Sequence, residues 1–250
     1  ASVQYSMIVG CHGEGWMPSS TRSTRWFGGS KYQINISDLV DGIKNANMSM
    51  NYILFDACYM SAVEVAYDLR DVTKYLIAST SEMMSAGMPY KKILKHIIKQ
   101  NPDYASLTKD FIDFYKSNSN PYGTIAVTDC AHIEDMAALM KQINSTHEEL
   151  TNADSNVQDL DAGHRTPTVY FDFGSYVNAL YADDEGAKAQ FSSLMNELVP
   201  YKGCTDYIYS DYDRKELKVN EFSGLTISDP SQNSSAINTK KLTAWWKATH

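Results

Sequence analysis

The sequence has no C-x-x-C pair, no H-E-x-x-H and no apolar run of the roughly 18 residues that a membrane helix needs. The first absence excludes a zinc ribbon or a thioredoxin motif. The second removes the commonest zinc-peptidase signature, and nothing else in the chain implies a metal site, although scattered carboxylates leave room for Ca²⁺. Only four cysteines occur, Cys11, Cys58, Cys130 and Cys204, too few in 250 residues for a disulfide framework. Positive charge is in deficit: a net charge of −8 argues against nucleic acid and against an anionic membrane surface as partners. The start, Ala1-Ser-Val-Gln-Tyr5, shows no basic flank of the kind that opens a signal peptide. No internal repeat and no low-complexity tract is present.

What is present is ordinary globular composition, 43% hydrophobic and 21% charged, in a length that fits one large domain or two small ones. Gln4–Gly10, Tyr52–Asp56 and Tyr75–Ala78 read as strands. Ile36, Leu39, Val40, Ile43 and Ala46 mark one helix face, started near Asn35 or Ser37. Ala62–Leu69 forms another. This β-α-β-α-β order is that of a parallel α/β sheet. Residues 13–34, rich in Gly, Ser, Thr, Arg and Trp, read as a long exposed loop with at most a short hairpin at Gly28-Gly29. Further on, Tyr104–Tyr115 and Ile133–Ile143 read as helices around a strand at Gly123–Val127. Residues 1–147 therefore form the core, and the polar stretch 148–168 is a linker or surface excursion. Residues 169–250 pack on the same domain, with a helix at Ala187–Leu198 and the pair Trp245-Trp246 turned back onto the body.

Two of the strands end in reactive side chains. Ser6-Met-Ile-Val-Gly-Cys-His-Gly13 delivers His12, and Tyr52-Ile-Leu-Phe-Asp-Ala-Cys58 delivers Cys58. In an open α/β sheet, chemistry sits beyond the carboxyl ends of parallel strands, where the two could meet. A thiolate needs a base to take its proton and return it to a leaving amine, so the pair suits acyl transfer. Gly13 gives a carbonyl clear access to a backbone N–H, and the Cys58 N–H is a second oxyanion donor. Asp56, two residues before Cys58, shares its side of an extended strand and could pair with Lys or Arg. The plainer readings are that Cys58 is a small buried hydrophobe, with Cys130 as rival nucleophile, and that Asp56 satisfies a helix start. Cys11 points to the opposite face from His12. His96, in Lys91-Lys-Ile-Leu-Lys-His96, reads as a solvated helix residue. His132, His147 and His164 have no nameable partner.

Taken together, Cys11-His-Gly-Glu-Gly-Trp16, Phe55-Asp-Ala-Cys-Tyr-Met60, Ala62-Val-Glu-Val-Ala66 and Tyr75-Leu-Ile-Ala-Ser-Thr-Ser-Glu82 resemble the clostripain family of cysteine peptidases, in the caspase-like group with gingipains and legumain. Gly87-Met-Pro-Tyr90, Tyr170-Phe-Asp-Phe-Gly-Ser175 and Phe222-Ser-Gly-Leu-Thr-Ile227 extend the likeness. An H-G pair alone is common; its order before D-A-C is specific. The resemblance implies a caspase-like three-layer α/β sandwich with a mostly parallel sheet. It implies cleavage of protein or peptide substrates after Arg or Lys by a His12–Cys58 dyad, with Gly13 and Cys58 as oxyanion donors. Asp56, Ser79 and Glu82 would line the P1 pocket. It also implies an exported or envelope-associated bacterial enzyme, activated by internal cleavage and needing no cofactor except Ca²⁺ in some members.

Two departures from the family pattern follow. The chain begins almost at the His-bearing strand, so an N-terminal light chain of the same precursor is expected to cover the sheet edge. Glu82 is the sole acid in the loop after the third strand, which leaves Arg against Lys open. Arg22, Arg25 and Lys31 stand in the loop 17–34 as candidate self-cleavage sites. The alternatives are a transpeptidase or amidase on the same dyad, or a non-catalytic caspase-like binding module.

Overall fold

In the computed structural model of the chain, residues 3–18, 25–29, 32–148, 150 and 156–250 are described. The elements begin with β1 (Tyr5–Gly10), β2 (His12–Pro18), β3 (Arg25–Gly29), β4 (Tyr32–Ile34), α1 (Ile36–Asn45), β5 (Met50–Asp56), α2 (Val63–Leu69) and β6 (Thr73–Ala78). They continue with α3 (Tyr90–Ile97), α4 (Tyr104–Lys116), β7 (Thr124–Asp129), α5 (Ile133–Thr146), β8 (Phe171–Asp172), α6 (Phe173–Leu180) and α7 (Glu185–Leu198). The last are β9 (Tyr201–Cys204), β10 (Tyr207–Ser210), β11 (Lys215–Lys218), β12 (Thr226–Ile227), α8 (Ser234–Lys240) and α9 (Ala244–Thr249).

A five-stranded sheet of order β1-β5-β6-β7-β9 forms the middle layer. β1, β5 and β6 are parallel neighbours, while β7 runs against β6 and β9 against β7. Four strands thus share one direction, as the resemblance implies. β5 is apolar almost throughout because both its faces are covered. Ile53 and Phe55 join the core under α1, α2, α5 and α9, whereas Tyr52 and Leu54 join the one under α3 and α4. Several helices, though not α2, α3 or α5, begin where a side chain satisfies a first N–H group. Asp103 accepts from Ser106 N at 3.0 Å at the start of α4, and Asp184 accepts from Ala187 N at 2.9 Å at the start of α7. The expected return of the C-terminus holds: Trp245 is buried edge-on against Tyr67 and Phe173.

Two expectations need correction. Residues 13–34 are largely a second, three-stranded sheet of order β2-β3-β4 rather than an exposed loop, and the hairpin pairs Gly29 with Tyr32. Trp16, Met17 and Phe27 are buried under it, and its glycines hid the strand alternation from the sequence. From residue 156 on, the polar stretch is no linker, since Leu160, Asp161 and Ala162 are buried. Its polarity is spent internally. Asp159 accepts from Asp161 N and Ala162 N, and Asp161 accepts from Gly163 N and Val169 N.

β1 is one edge of the central sheet, with Tyr5 and Ile8 exposed. No helix among the described residues is long and apolar enough to cross a membrane.

Candidate active site

The register of two strands assembles the site. β1 and β5 run parallel with Gly10 opposite Asp56, and Cys11 N donates to Asp56 O at 3.2 Å. Two residues beyond this last pair stand His12 on one strand and Cys58 on the other. Both line a cavity of about 550 Å³ beyond the carboxyl ends of the strands, where ligands of open α/β sheets bind. Glu82 and Met83, from the loop after β6, form another wall, and Tyr122, Tyr209 and Asp211 face them.

β2 lies directly across the nucleophile's turn. A Cβ at Gly13 would meet the Cys58 carbonyl oxygen at 2.6 Å, and one at Gly15, whose φ is +53°, would meet the Tyr59 oxygen at 2.7 Å. Only glycine allows so close an approach, and at Gly15 only glycine adopts that backbone freely. Tyr59, next after Cys58, also has positive φ, +60°. A tyrosine there is strained and must be held by its surroundings.

The Cys58 thiol is tied to the backbone of Met83. The Met83 N–H donates to Sγ at 3.3 Å, and the thiol donates to the Met83 carbonyl at 4.0 Å. Burial pushes its pKa up to about 12. The Met83 N–H works against that rise, and the charges of Glu82, Glu14 and Asp56 add to it. Burial thus favours the neutral thiol at Cys58.

The three expected P1 residues Asp56, Ser79 and Glu82 all stand at this end of the sheet, but of them Glu82 alone lines the cavity. Asp56 Oδ1 accepts from Met88 N and Oδ2 from Tyr90 OH, both at 3.0 Å. Gly87, with φ +59°, crosses so near that a Cβ would lie 3.1 Å from both carboxylate oxygens. The Asp56 charge is thus fixed at the base of the loop 83–90. Glu82 reaches into the cavity and accepts from Asp211 N at 3.0 Å. Burial raises its pKa, an effect that hydrogen bonding to Asp211 N reduces. Ser79 is fully buried, with its Oγ 2.7 Å from Thr124 Oγ1 and donating to Ser81 O at 3.0 Å. It holds the loop in place from behind: Ser79 O and Ser81 O accept from Ser61 N and Tyr59 N.

Arg22 and Lys31 lie outside the described residues; the backbone of Arg25 begins β3. Cys130 is buried, its thiol donating to Thr128 O, and it does not line this cavity. Among the described residues, no group of three His, Cys, Asp or Glu could hold a metal ion.

Two histidines depart from their sequence reading. His96 is nearly buried, its Nε2 2.9 Å from Asp110 Oδ2, so it ties α3 to α4 instead of facing solvent. His164 has the partner that the sequence did not reveal. Its Nε2 lies 3.1 and 3.2 Å from the Glu14 carboxylate oxygens, and Arg165 donates to Glu14 at 2.5 Å. Against the upward push of burial, the contacts of Glu14 with His164 and Arg165 hold its carboxyl below its ordinary range. The His164 ring stacks on Tyr59, with centroids 4.8 Å apart, and Tyr59 stacks on Tyr170 at 4.6 Å. The one sequence clue was an acid two residues after His12, on the same side of the strand.

A family model described as the Clostripain family matches residues 2–244. Among solved structures, a secreted C11 cysteine protease of Bacteroides thetaiotaomicron, "iotapain", is 46% identical, with a TM-score of 0.91 over 100% of this chain and 73% of that one. A clostripain from the same organism, solved with the peptide inhibitor BTN-VLTK-AOMK, is 48% identical, with a TM-score of 0.83 over 89% of this chain and 97% of that one. An inactive zymogen C11 protease from Parabacteroides distasonis is 28% identical, with a TM-score of 0.81 over 99% and 70%. No curated protein matches the sequence.

Proposed function

The chain belongs to the clostripain family of cysteine peptidases, and on that premise we propose that it cuts peptide bonds after Lys or Arg, with Cys58 as nucleophile and His12 as its base. The observation that carries this reading is the register Gly10 opposite Asp56, which brings His12 and Cys58 to one cavity. In the first step His12 takes the thiol proton as Sγ bonds to the carbonyl carbon. The carbonyl oxygen, now carrying the charge, accepts from the Gly13 and Cys58 N–H groups. His12 then returns the proton to the departing amine as the C–N bond breaks, leaving an acyl-thioester. Water, deprotonated by His12, displaces Cys58 and frees the carboxylic acid.

Asp56 is the proposed anchor of the P1 side chain, with Glu82 on the cavity wall. A Lys ammonium or Arg guanidinium beside Asp56 offsets one of the negative charges that raise the Cys58 pKa, so the right substrate eases ionisation of its own nucleophile. The relative at 48% identity supports Lys, since the peptide of its inhibitor ends in that residue.

Three further readings belong to the same proposal. Cleavage at Arg22, Arg25 or Lys31 activates the enzyme; a triple alanine variant as active and as fragmented as wild type would sink this. A companion segment of the precursor pairs with the β1 edge and covers Tyr5 and Ile8. The protein is exported, as its relative iotapain is described to be.

Fluorogenic peptides with Lys, Arg or Asp at P1 test the main reading, with wild type and Cys58→Ala. Cleavage after Lys or Arg that vanishes in Cys58→Ala supports it. Cleavage that survives in Cys58→Ala, or that prefers Asp, overturns it.

A further inference from the structure

Outside the dyad, the most unusual backbone at the site is that of Tyr59, a buried aromatic residue with φ +60° directly after the nucleophile. Left-handed backbone at a residue with a Cβ persists only where the surroundings over-determine it. The surroundings here are three stacked rings. Tyr59 lies between His164 and Tyr170, and its planes are tilted only 28° and 9° from theirs. Both outer rings are fastened to one residue of β2: His164 to the Glu14 carboxylate, and the Tyr170 hydroxyl to the Glu14 carbonyl at 2.6 Å. β2 also carries His12. One strand therefore presents the base and anchors the clamp on the turn that presents the thiol.

Hydrogen bonding does not explain the Tyr59 ring: among the described residues its hydroxyl is buried with no partner, as is Nδ1 of His164. Each leaves a polar atom unsatisfied, which costs stability. What both side chains do supply is a flat ring at stacking distance.

We propose that His164 is a positioning residue for the peptidase reaction: its ring, fixed by Glu14, clamps Tyr59 against Tyr170 and so holds the Cys58–Tyr59 turn in the left-handed form that aims the nucleophile and its N–H. The inference rests on Cys58 being the nucleophile. It assigns a role in the catalytic step to the segment 156–170, which lies far from both dyad residues in sequence.

The test uses the active enzyme and separates ring from hydrogen bond. His164→Phe keeps a ring without the Glu14 contact, and His164→Gln keeps a donor for Glu14 without a ring. Steady-state kcat and KM on the P1 Lys peptide are measured alongside thermal unfolding. His164→Gln and His164→Ala are expected to lose about tenfold or more in kcat, with KM within about twofold, as suits a misaimed nucleophile. His164→Phe and Tyr59→Phe are expected to stay within about threefold of wild type, because the stack survives in both. In Tyr59→Gly, where the left-handed backbone needs no clamp, His164→Ala is expected to cost nothing further in kcat.

Equal losses in His164→Phe and His164→Gln would overturn the clamp, as would a change in KM alone or full activity in His164→Ala. If His164→Ala does not fold, the Phe and Gln pair still decides. Full activity in Cys58→Ala would instead remove the nucleophile reading, and the clamp with it.

Discussion

A Cβ placed on Gly13 would stand 2.6 Å from the carbonyl oxygen of Cys58 and 3.0 Å from both the Ala57 Cβ and the Met60 sulfur. The oxygen is main chain and cannot turn aside, so a side chain at residue 13 separates β2 from the nucleophile's turn. The proposed oxyanion donors then part from each other and His12 from Cys58. Gly13→Ala is expected to lower kcat by about 100-fold or more, the scale of removing an oxyanion donor. Its thermal midpoint should fall only modestly, because the rest of the core is untouched. Near-normal turnover in Gly13→Ala would mean that this close approach has no part in the chemistry.

The free thiol is expected to be sluggish. Burial pushes Cys58 up to about 12, alongside Cys130 at about 12 and Cys204 at about 11, so Cys58 is not expected to outpace them toward iodoacetamide at mildly acidic pH. Its alkylation should instead climb steadily through the alkaline range. A small alkylammonium that sits beside Asp56 should raise the rate severalfold at pH 8. A rate that levels off below pH 8 without any cation would show a preformed thiolate.

The parts of this architecture that were legible in the sequence are those whose energetics are local. The apolar runs Tyr52–Phe55 of β5 and Tyr75–Ala78 of β6 are largely buried on both faces, and α1 buries one stripe, Ile36, Val40 and Ile43. The order H-G before D-A-C placed His12 and Cys58 at adjacent strand ends, and the register Gly10 opposite Asp56 realises that placement. The misread parts depend on distant partners. His164 meets Glu14 across 150 residues, and His96 gains its role only once α4 brings Asp110 alongside. Ser79, beside the acid-bearing loop in sequence, faces inward because Thr124 of β7 offers its hydroxyl there. The stretch 156–168 looked solvated because its aspartates carry the hydrogen bonds of its own turns, a use of polarity that composition cannot tell from exposure.

The proposed P1 role of Asp56 can be tested apart from folding. Asp56→Asn keeps an oxygen for the Met88 N–H but removes the charge that faces a P1 cation. With the partner cation left unpaired, kcat/KM for Lys and Arg peptides should fall by roughly 30- to 1,000-fold. Glu82→Gln should cost less, because that carboxylate is only partly buried and its charge is better screened by solvent. A P1 preference unchanged in Asp56→Asn and lost in Glu82→Gln would exchange the two assignments.

His96 gives a prediction about stability alone. It is nearly buried between α3 and α4, and Asp110 holds its Nε2 at 2.9 Å while also meeting Lys95 at 3.1 Å. His96→Ala removes the ring from the contact of the two helices and leaves the carboxylate with Lys95 only. The expected loss is about 1–3 kcal/mol in urea unfolding at pH 7, with kcat per folded molecule unchanged because the helices lie behind the sheet from β2. The pH dependence has a definite sign. His96 and Lys95 hold the Asp110 carboxyl below its ordinary value. A lowered carboxyl pKa contributes stability that is present above the ordinary range, near pH 4, and is lost as pH falls through the lowered value. The gap between wild type and His96→Ala should therefore narrow as pH falls below about 4. A gap that stays constant down to pH 2 would mean that packing of the ring, and not its pairing with Asp110, accounts for the loss.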